Sequence, residues 1–139
     1  MTTINSKTFS NCISLSSITI PKGVMSIKSN AFYYCYALAS IVIPNGVPSI
    51  GANTFQGCGS LASIVIPNSV TQIDTYAFYG CSGMAYYDFT NHTAVPTLFN
   101  ADAFKNIPSD CEIRVPAALY EEWVAATNWA TYADYIVSV

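Results

Sequence analysis

The chain has 139 residues, 52% hydrophobic and 9% charged, with a formal net charge of −3. That apolar weight excludes the disordered class, and no run of roughly 18 or more apolar residues offers a membrane span. Three scattered lysines ahead of the first acid, Asp74, make no phosphate-binding stripe, so nucleic acid is not an expected partner. No charged leader with an apolar stretch and a small-residue cleavage site opens the chain. If the parent protein is secreted, its signal is expected to have been removed or to lie elsewhere.

In chain order, the residues repeat. Phe9, Phe32, Phe55 and Phe78 stand 23 positions apart, as do Cys12, Cys35, Cys58 and Cys81. The same interval joins Leu15, Leu38, Leu61 and Met84, and the octapeptide LASIVIPN recurs verbatim at 38–45 and 61–68. Ile4 precedes Phe9 as Ile27 precedes Phe32, so the chain opens partway through a unit. A period in the twenties is that of a solenoid whose coils bury a shared apolar face only by stacking. Each fully buried large apolar side chain is worth roughly 1.5–3 kcal/mol, so the inner coils are expected to be the most stable.

Within a unit, the Ala-Phe or Thr-Phe segment before each cysteine reads as one helical turn. SITI and SIVI follow, with the alternation of a strand: Ile18 and Ile20 inward, Ser17 and Thr19 outward. A proline ends the strand, because it has no donor for the ladder. Pro-Lys-Gly, Pro-Asn-Gly and Pro-Asn-Ser are turn chemistry, and a second extended stretch begins at Val24 and its equivalents. The fourth unit departs from the pattern. Tyr87 and Phe89 replace isoleucines, Thr90 replaces the proline, and Phe104 comes 26 residues after Phe78. A three-residue insertion is placed within 90–96. The register resumes at Ile113, Val115 and Pro116; Ile107 takes the cysteine position, leaving Cys111 outside that column. Residues 117–126 read as a helix opened by Pro116, with Leu119, Trp123 and Ala126 on one face. A second short helix is expected near 129–136. Trp123 and Trp129 are read as cap packing over the last coil, with a ligand platform as the alternative.

Phe-x-x-Cys-x-x-Leu-x-x-Ile-x-Ile-Pro-x-x-Val-x-x-Ile, with Ala-Phe opening the next unit, resembles the BspA-like (Treponema-type) leucine-rich repeat over residues 4–116. The segment VPAALYEEWVAATNWATYADYIV resembles the closing segment of such arrays. The expectation is an α/β leucine-rich-repeat solenoid: right-handed, β-rich coils of 23 residues with short helical turns. About four and a half coils occupy 1–116, and a C-terminal helical cap occupies 117–139. The resemblance implies a secreted or surface-attached bacterial protein, extracellular in setting, that binds a host or bacterial surface protein or glycan. The missing cap before Phe9 suggests a C-terminal fragment of a longer array, or end-to-end self-association through the uncapped first coil.

Candidate sites follow from the columns. The outward strand positions read Ser17, Ser40, Ser63, Tyr86, Glu112 and Thr19, Val42, Val65, Asp88, Arg114. They form the face on which solenoids bind; Ser40, Val42, Ser63, Val65, Tyr86, Asp88, Glu112 and Arg114 are its candidate residues. Asp88 is expected beside Arg114, and Tyr86 beside Glu112. Tyr33 and Tyr79 flank Gln56 on the turns, with Tyr34, Tyr36 and Tyr76 nearby; packing over the coil is the reading taken, a binding surface the alternative. The cysteines are read as a ladder of buried free thiols, with disulfides or a metal as alternatives. The odd count and the absence of paired CxxC motifs or a histidine-rich cluster speak against both. Asn91 and His92 lie in the lengthened turn and are read as surface residues. A hydrolase built on His92 is the alternative, but no nucleophile motif supports it. No catalytic residue, metal or cofactor is assigned. The preferred reading is a non-enzymatic binding or adhesion module, the runner-up a spacer without a ligand of its own.

Overall fold

A computed structural model describes residues 2–139. Two ladders of parallel strands run along it. In the first, Ser17 bridges Ser40, and further along β4 (Ser63–Val65), β6 (Tyr86–Asp88), β8 (Glu112–Val115) and β9 (Ile136–Ser138) form one sheet. In the second, β1 (Thr2–Ile4) pairs with β2 (Val24–Ile27), and β3 (Ser49–Ile50), β5 (Gln72–Ile73) and β7 (Thr97–Leu98) pair in turn. Each residue pairs with its equivalent one coil on: Ile50 with Ile73 and Ser63 with Tyr86. The parallel order follows from the repeat, since each coil returns to the position of its predecessor one rung on.

The interior is a bundle of side-chain columns. Phe9, Phe32, Phe55, Phe78 and Phe104 stack with ring centroids 5.3, 5.5, 5.4 and 5.4 Å apart. Their planes lie within 13° of parallel, the offset stacking that aromatic quadrupoles favour. Phe32, Phe55, Phe78 and Phe104 are fully buried, while Phe9, Cys12, Leu15 and Ile18 are only partly covered. The cysteines are free, and they do more than fill space. Cys35, Cys58 and Cys81 each donate Sγ–H to the carbonyl of Phe9, Phe32 and Phe55 in the preceding coil, at 3.1–3.3 Å. Burial pushes the thiols of Cys35 and Cys81 up to about 11 and about 12, so they stay protonated donors rather than nucleophiles.

The expected helical turns are tight turns instead. Bonds such as Cys58 N–H to Phe55 C=O close them at i→i−3, and two residues in each of the first four coils, and one in the fifth, adopt the left-handed conformation, which halts a helix. Lys7, Asn30, Asn53 and Tyr76 form one such column (φ 57–63°); Asn11, Tyr34, Gly57, Gly80 and Asn106 form the other (φ 53–74°). Asparagine and glycine suit these positions. A tyrosine there costs on the order of 1–3 kcal/mol. Gly57 has a second reason: a Cβ on it would lie 2.0 Å from the Tyr34 ring.

The insertion is divided rather than confined to 90–96. Ile73 pairs with Leu98, whereas Phe78 stacks on Phe104. Two extra residues therefore precede Thr97, and the third lies between Leu98 and Phe104. Cys111 lies outside the thiol column but is buried all the same. Its N–H closes on Pro108 C=O as those of Leu61 and Met84 close on Cys58 and Cys81, so it takes the leucine position one residue late.

The cap is only partly helical. A 3-10 turn (Ala117–Leu119) leads into α1 (Tyr120–Ala125), a second 3-10 segment spans Trp129–Tyr135, and β9 then adds a strand beside β8. Its side chains stand in for the next coil. Inside the array, Thr71 C=O accepts Thr97 N–H and Ile73 C=O accepts Phe99 N–H. At the last coil, Pro96 C=O accepts Trp129 Nε1–H at 2.8 Å and Leu98 C=O accepts Asn128 Nδ2–H at 2.6 Å. Phe78 N–H finds Ala103 C=O, and Phe104 N–H finds the Tyr132 hydroxyl at 3.1 Å. That hydroxyl in turn donates to Ala101 C=O.

If stacking is what stabilises the array, Phe55→Ala should cost about 3–5 kcal/mol in urea unfolding, the usual figure for a buried ring. Phe9→Ala should cost clearly less, since its ring stacks on one neighbour and is half-exposed. Equal losses would contradict the gradient.

Candidate binding face

The first sheet turns its non-core side chains outward in two columns. β4, β6 and β8 align Ser63 with Tyr86 and Glu112, and Val65 with Asp88 and Arg114. The Ser17–Ser40 bridge carries the first column back to the first coil. Alternation places Val42 and Val65 outside while Ile41, Ile43, Ile64 and Ile66 are buried. Val42 is 78% exposed and Val65 50%, an apolar strip that the core does not use. Hollows lie on either side of Val42. One of about 450 Å³ is walled by Ile18, Ile20, Pro21 and Pro44. The other, of about 370 Å³, runs between Val42 and Val65 to Asn45, Asn68 and Asn91.

At the C-terminal end of the face the side chains become polar and aromatic. The Arg114 guanidinium lies 3.8 Å over the Tyr86 ring, a cation–π contact. Its Nε–H donates to Glu112 at 2.7 Å, and that carboxylate pushes the Arg114 pKa further up. Asp88 is aligned with Arg114 as expected, but no ion pair joins them. Its carboxylate accepts Thr90 N–H at 2.9 Å and the Thr90 hydroxyl at 2.6 Å, closing the turn where other coils have proline. Arg114 is thus held flat by Tyr86 and Glu112 and presents a guanidinium edge to solvent.

The two loop candidates part company. Asn91 is exposed and reaches the valine hollow. His92 is not the surface residue expected: only 5% of it is exposed. Its N–H closes on Phe89 C=O as that of Val70 closes on Pro67, so the ring enters where other coils bury valine. Nε2–H donates to Val70 C=O at 3.0 Å, and the ring packs on Phe89 and Trp123. Burial lowers its pKa. Nδ1 has no hydrogen-bond partner, so no carboxylate orients this ring as a general base requires. Among the described residues, no group of three or more His, Cys, Asp or Glu side chains comes together as metal ligands would. None of the described helices is long and apolar enough to cross a membrane.

The family of BspA type leucine rich repeat regions matches residues 2–121 in six copies. The chain belongs to the BspA type leucine-rich repeat family. The fold is similar to that of a leucine-rich repeat protein from Bacteroides ovatus, with a TM-score of 0.58 and 20% identity. The match covers 81% of this chain and 42% of the other, so this chain spans less than half of that protein's length. None of the curated proteins matches.

For this BspA type repeat, reading the columns found the strip residues but not the hollows beside them. Pro21, Lys22, Pro44, Asn45 and Asn68 wall those hollows. The available signal was position: each proline turn directly follows an outward-facing strand. Asn68 also accepts Thr93 N–H at 3.1 Å, bracing the lengthened turn against its neighbour.

His92 makes a pH prediction. Its folded pKa lies below that of the unfolded chain, so the unfolded state takes up the proton first. Stability should be full above the ordinary histidine pKa of about 6.5 and fall as pH drops through it. His92 is the only histidine in the chain. Melting temperature should therefore decline between pH 7.5 and 5.5 in the wild type and stay level in His92→Gln. Parallel declines would rule out the buried neutral ring.

Proposed function

We propose that the chain is a protein-binding module and that the outward face of the first sheet is its recognition surface. The observation that carries this is the exposed Val42–Val65 strip, flanked by hollows and ending in the Arg114–Tyr86–Glu112 cluster. An apolar centre with aromatic and arginine groups beside it is the composition of a protein interface. A structural sheet face has no use for valines held in water. Asn91 extends the surface onto the lengthened turn.

The finer reading is an adhesion module at a bacterial cell surface or outside the cell. Its right-handed coils of 23 residues, in 1–116, form the binding body, and 117–139 closes them. Membership of the BspA type family supports this setting.

The test is surface plasmon resonance of the chain against a panel of purified extracellular host proteins. At least one should bind. Val65→Asp and Arg114→Glu should each weaken it tenfold or more, equivalent to about 1.4 kcal/mol, without lowering the melting temperature. No binding would favour the spacer reading, and binding that both variants leave unchanged would remove this face as the recognition surface.

A further inference from the structure

A second surface lies on the turn side of the solenoid, on neither strand ladder. Tyr34 N–H donates to Gln56 C=O, Gly57 N–H to Tyr79 C=O, and Gly80 N–H to Lys105 C=O, each at 2.8 Å. These bonds align Tyr33, Gln56, Tyr79 and Lys105 in one column. Asn53, Tyr76 and Asp102 run beside it, and with Tyr34 the two rows wall an open groove of about 440 Å³.

The rings here are not core packing. Tyr76 is 38% exposed, and its ring meets Tyr79 edge-on at 5.4 Å. Tyr33 and Tyr34 lie 4.2 Å apart at the other end, and Tyr36, 52% exposed, stacks on Tyr34 at 5.3 Å. Tyr34 and Tyr76 are both left-handed, whereas the residues that adopt this conformation at the same two positions of other coils are asparagine, glycine or, once, lysine. A strained aromatic kept in a surface groove points to use rather than to folding.

The polar groups between the rings are mixed in kind. Asn53 Nδ2–H donates to Gln56 Oε1, which leaves the Asn53 oxygen as an acceptor and the Gln56 amide hydrogens as donors. Lys105 Nζ lies 3.6 Å from Asp102, so the charges balance and no net cation waits for an anion. The groove offers no deep apolar pocket for a protein anchor. Flat π faces, paired amides and neutralised charge instead complement a molecule with C–H faces and many hydroxyls. The two rows step once per coil, about 4.8 Å, comparable to the advance of a β-linked pyranose chain.

We propose that this groove binds a neutral oligosaccharide chain. A pyranose face rests on Tyr76, and its hydroxyls bond to Asn53, Gln56 and the Asp102–Lys105 pair. The site is separate from the sheet face, and either can fail without the other.

The test is affinity electrophoresis, followed by calorimetry, with neutral probes: β-glucan, β-mannan, β-xylan and N-acetylglucosamine oligomers. Heparin serves as the anionic probe. At least one neutral probe should bind. Tyr76→Asn should weaken it at least tenfold while the melting temperature holds or rises, because asparagine suits the left-handed position. Gln56→Ala should also weaken it, and Val65→Asp should not. Failure of every neutral probe, binding of heparin alone, or neutral binding untouched by Tyr76→Asn and Gln56→Ala would each overturn the proposal.

Discussion

Five phenylalanine rings stacked 5.3–5.5 Å apart hold the coils in register, and the rest of the molecule accommodates that stack. Ring must follow ring, so each coil must return to the same place. The strands then pair in parallel, the thiols reach back to the carbonyls of the coil before, and each turn must reverse within a few residues. Left-handed residues make those reversals. A one-dimensional array built this way distributes its stability by neighbours, which is why the doubly flanked coils carry the fully buried side chains and the first does not.

An array so constrained inside is free outside. The outward strand positions and the turn positions contribute little to stacking, so their residues can vary from coil to coil. Variation concentrates in the fourth and fifth coils. Tyr86, Asp88, Glu112 and Arg114 replace the serines, threonine and valines of the earlier sheet face. Tyr76, Asp102 and Lys105 depart likewise from the earlier turns, while Tyr79 repeats Tyr33. The cap makes this possible by presenting a side-chain imitation of another coil: Trp129, Asn128 and Tyr132 bond to the groups a further coil would have bonded.

Periodicity was enough to read the columns, the outward pairs and the free-thiol ladder, because identical spacing forces identical neighbours. It was not enough where spacing breaks. His92 was read as exposed because it lies in the lengthened turn; that turn closes on Phe89, where the earlier coils close on proline, and draws the ring inside. Asp88 and Arg114 align as counted, but side-chain bonding is a local competition, and Thr90 and Glu112 win it. β9 went unread because a lone Ile-Val-Ser after a helix-like stretch has no repeat partner to reveal it. The thiol-to-carbonyl bonds were likewise hidden, since a cysteine column looks the same whether it donates or only fills space.

Native-state hydrogen exchange tests the stacked-coil account most directly, since alternate turn amides are bonded to the next coil. The Tyr34, Phe55 and Gly57 amides, bonded to Gln56, Ala77 and Tyr79 carbonyls, should exchange only through global unfolding. The Phe9 and Asn11 amides, bonded to Ala31 and Tyr33, should exchange faster through loss of the first coil alone. Turn amides at Tyr34, Phe55 and Gly57 that exchange at unprotected rates, or uniform protection from Phe9 to Gly57, would contradict it.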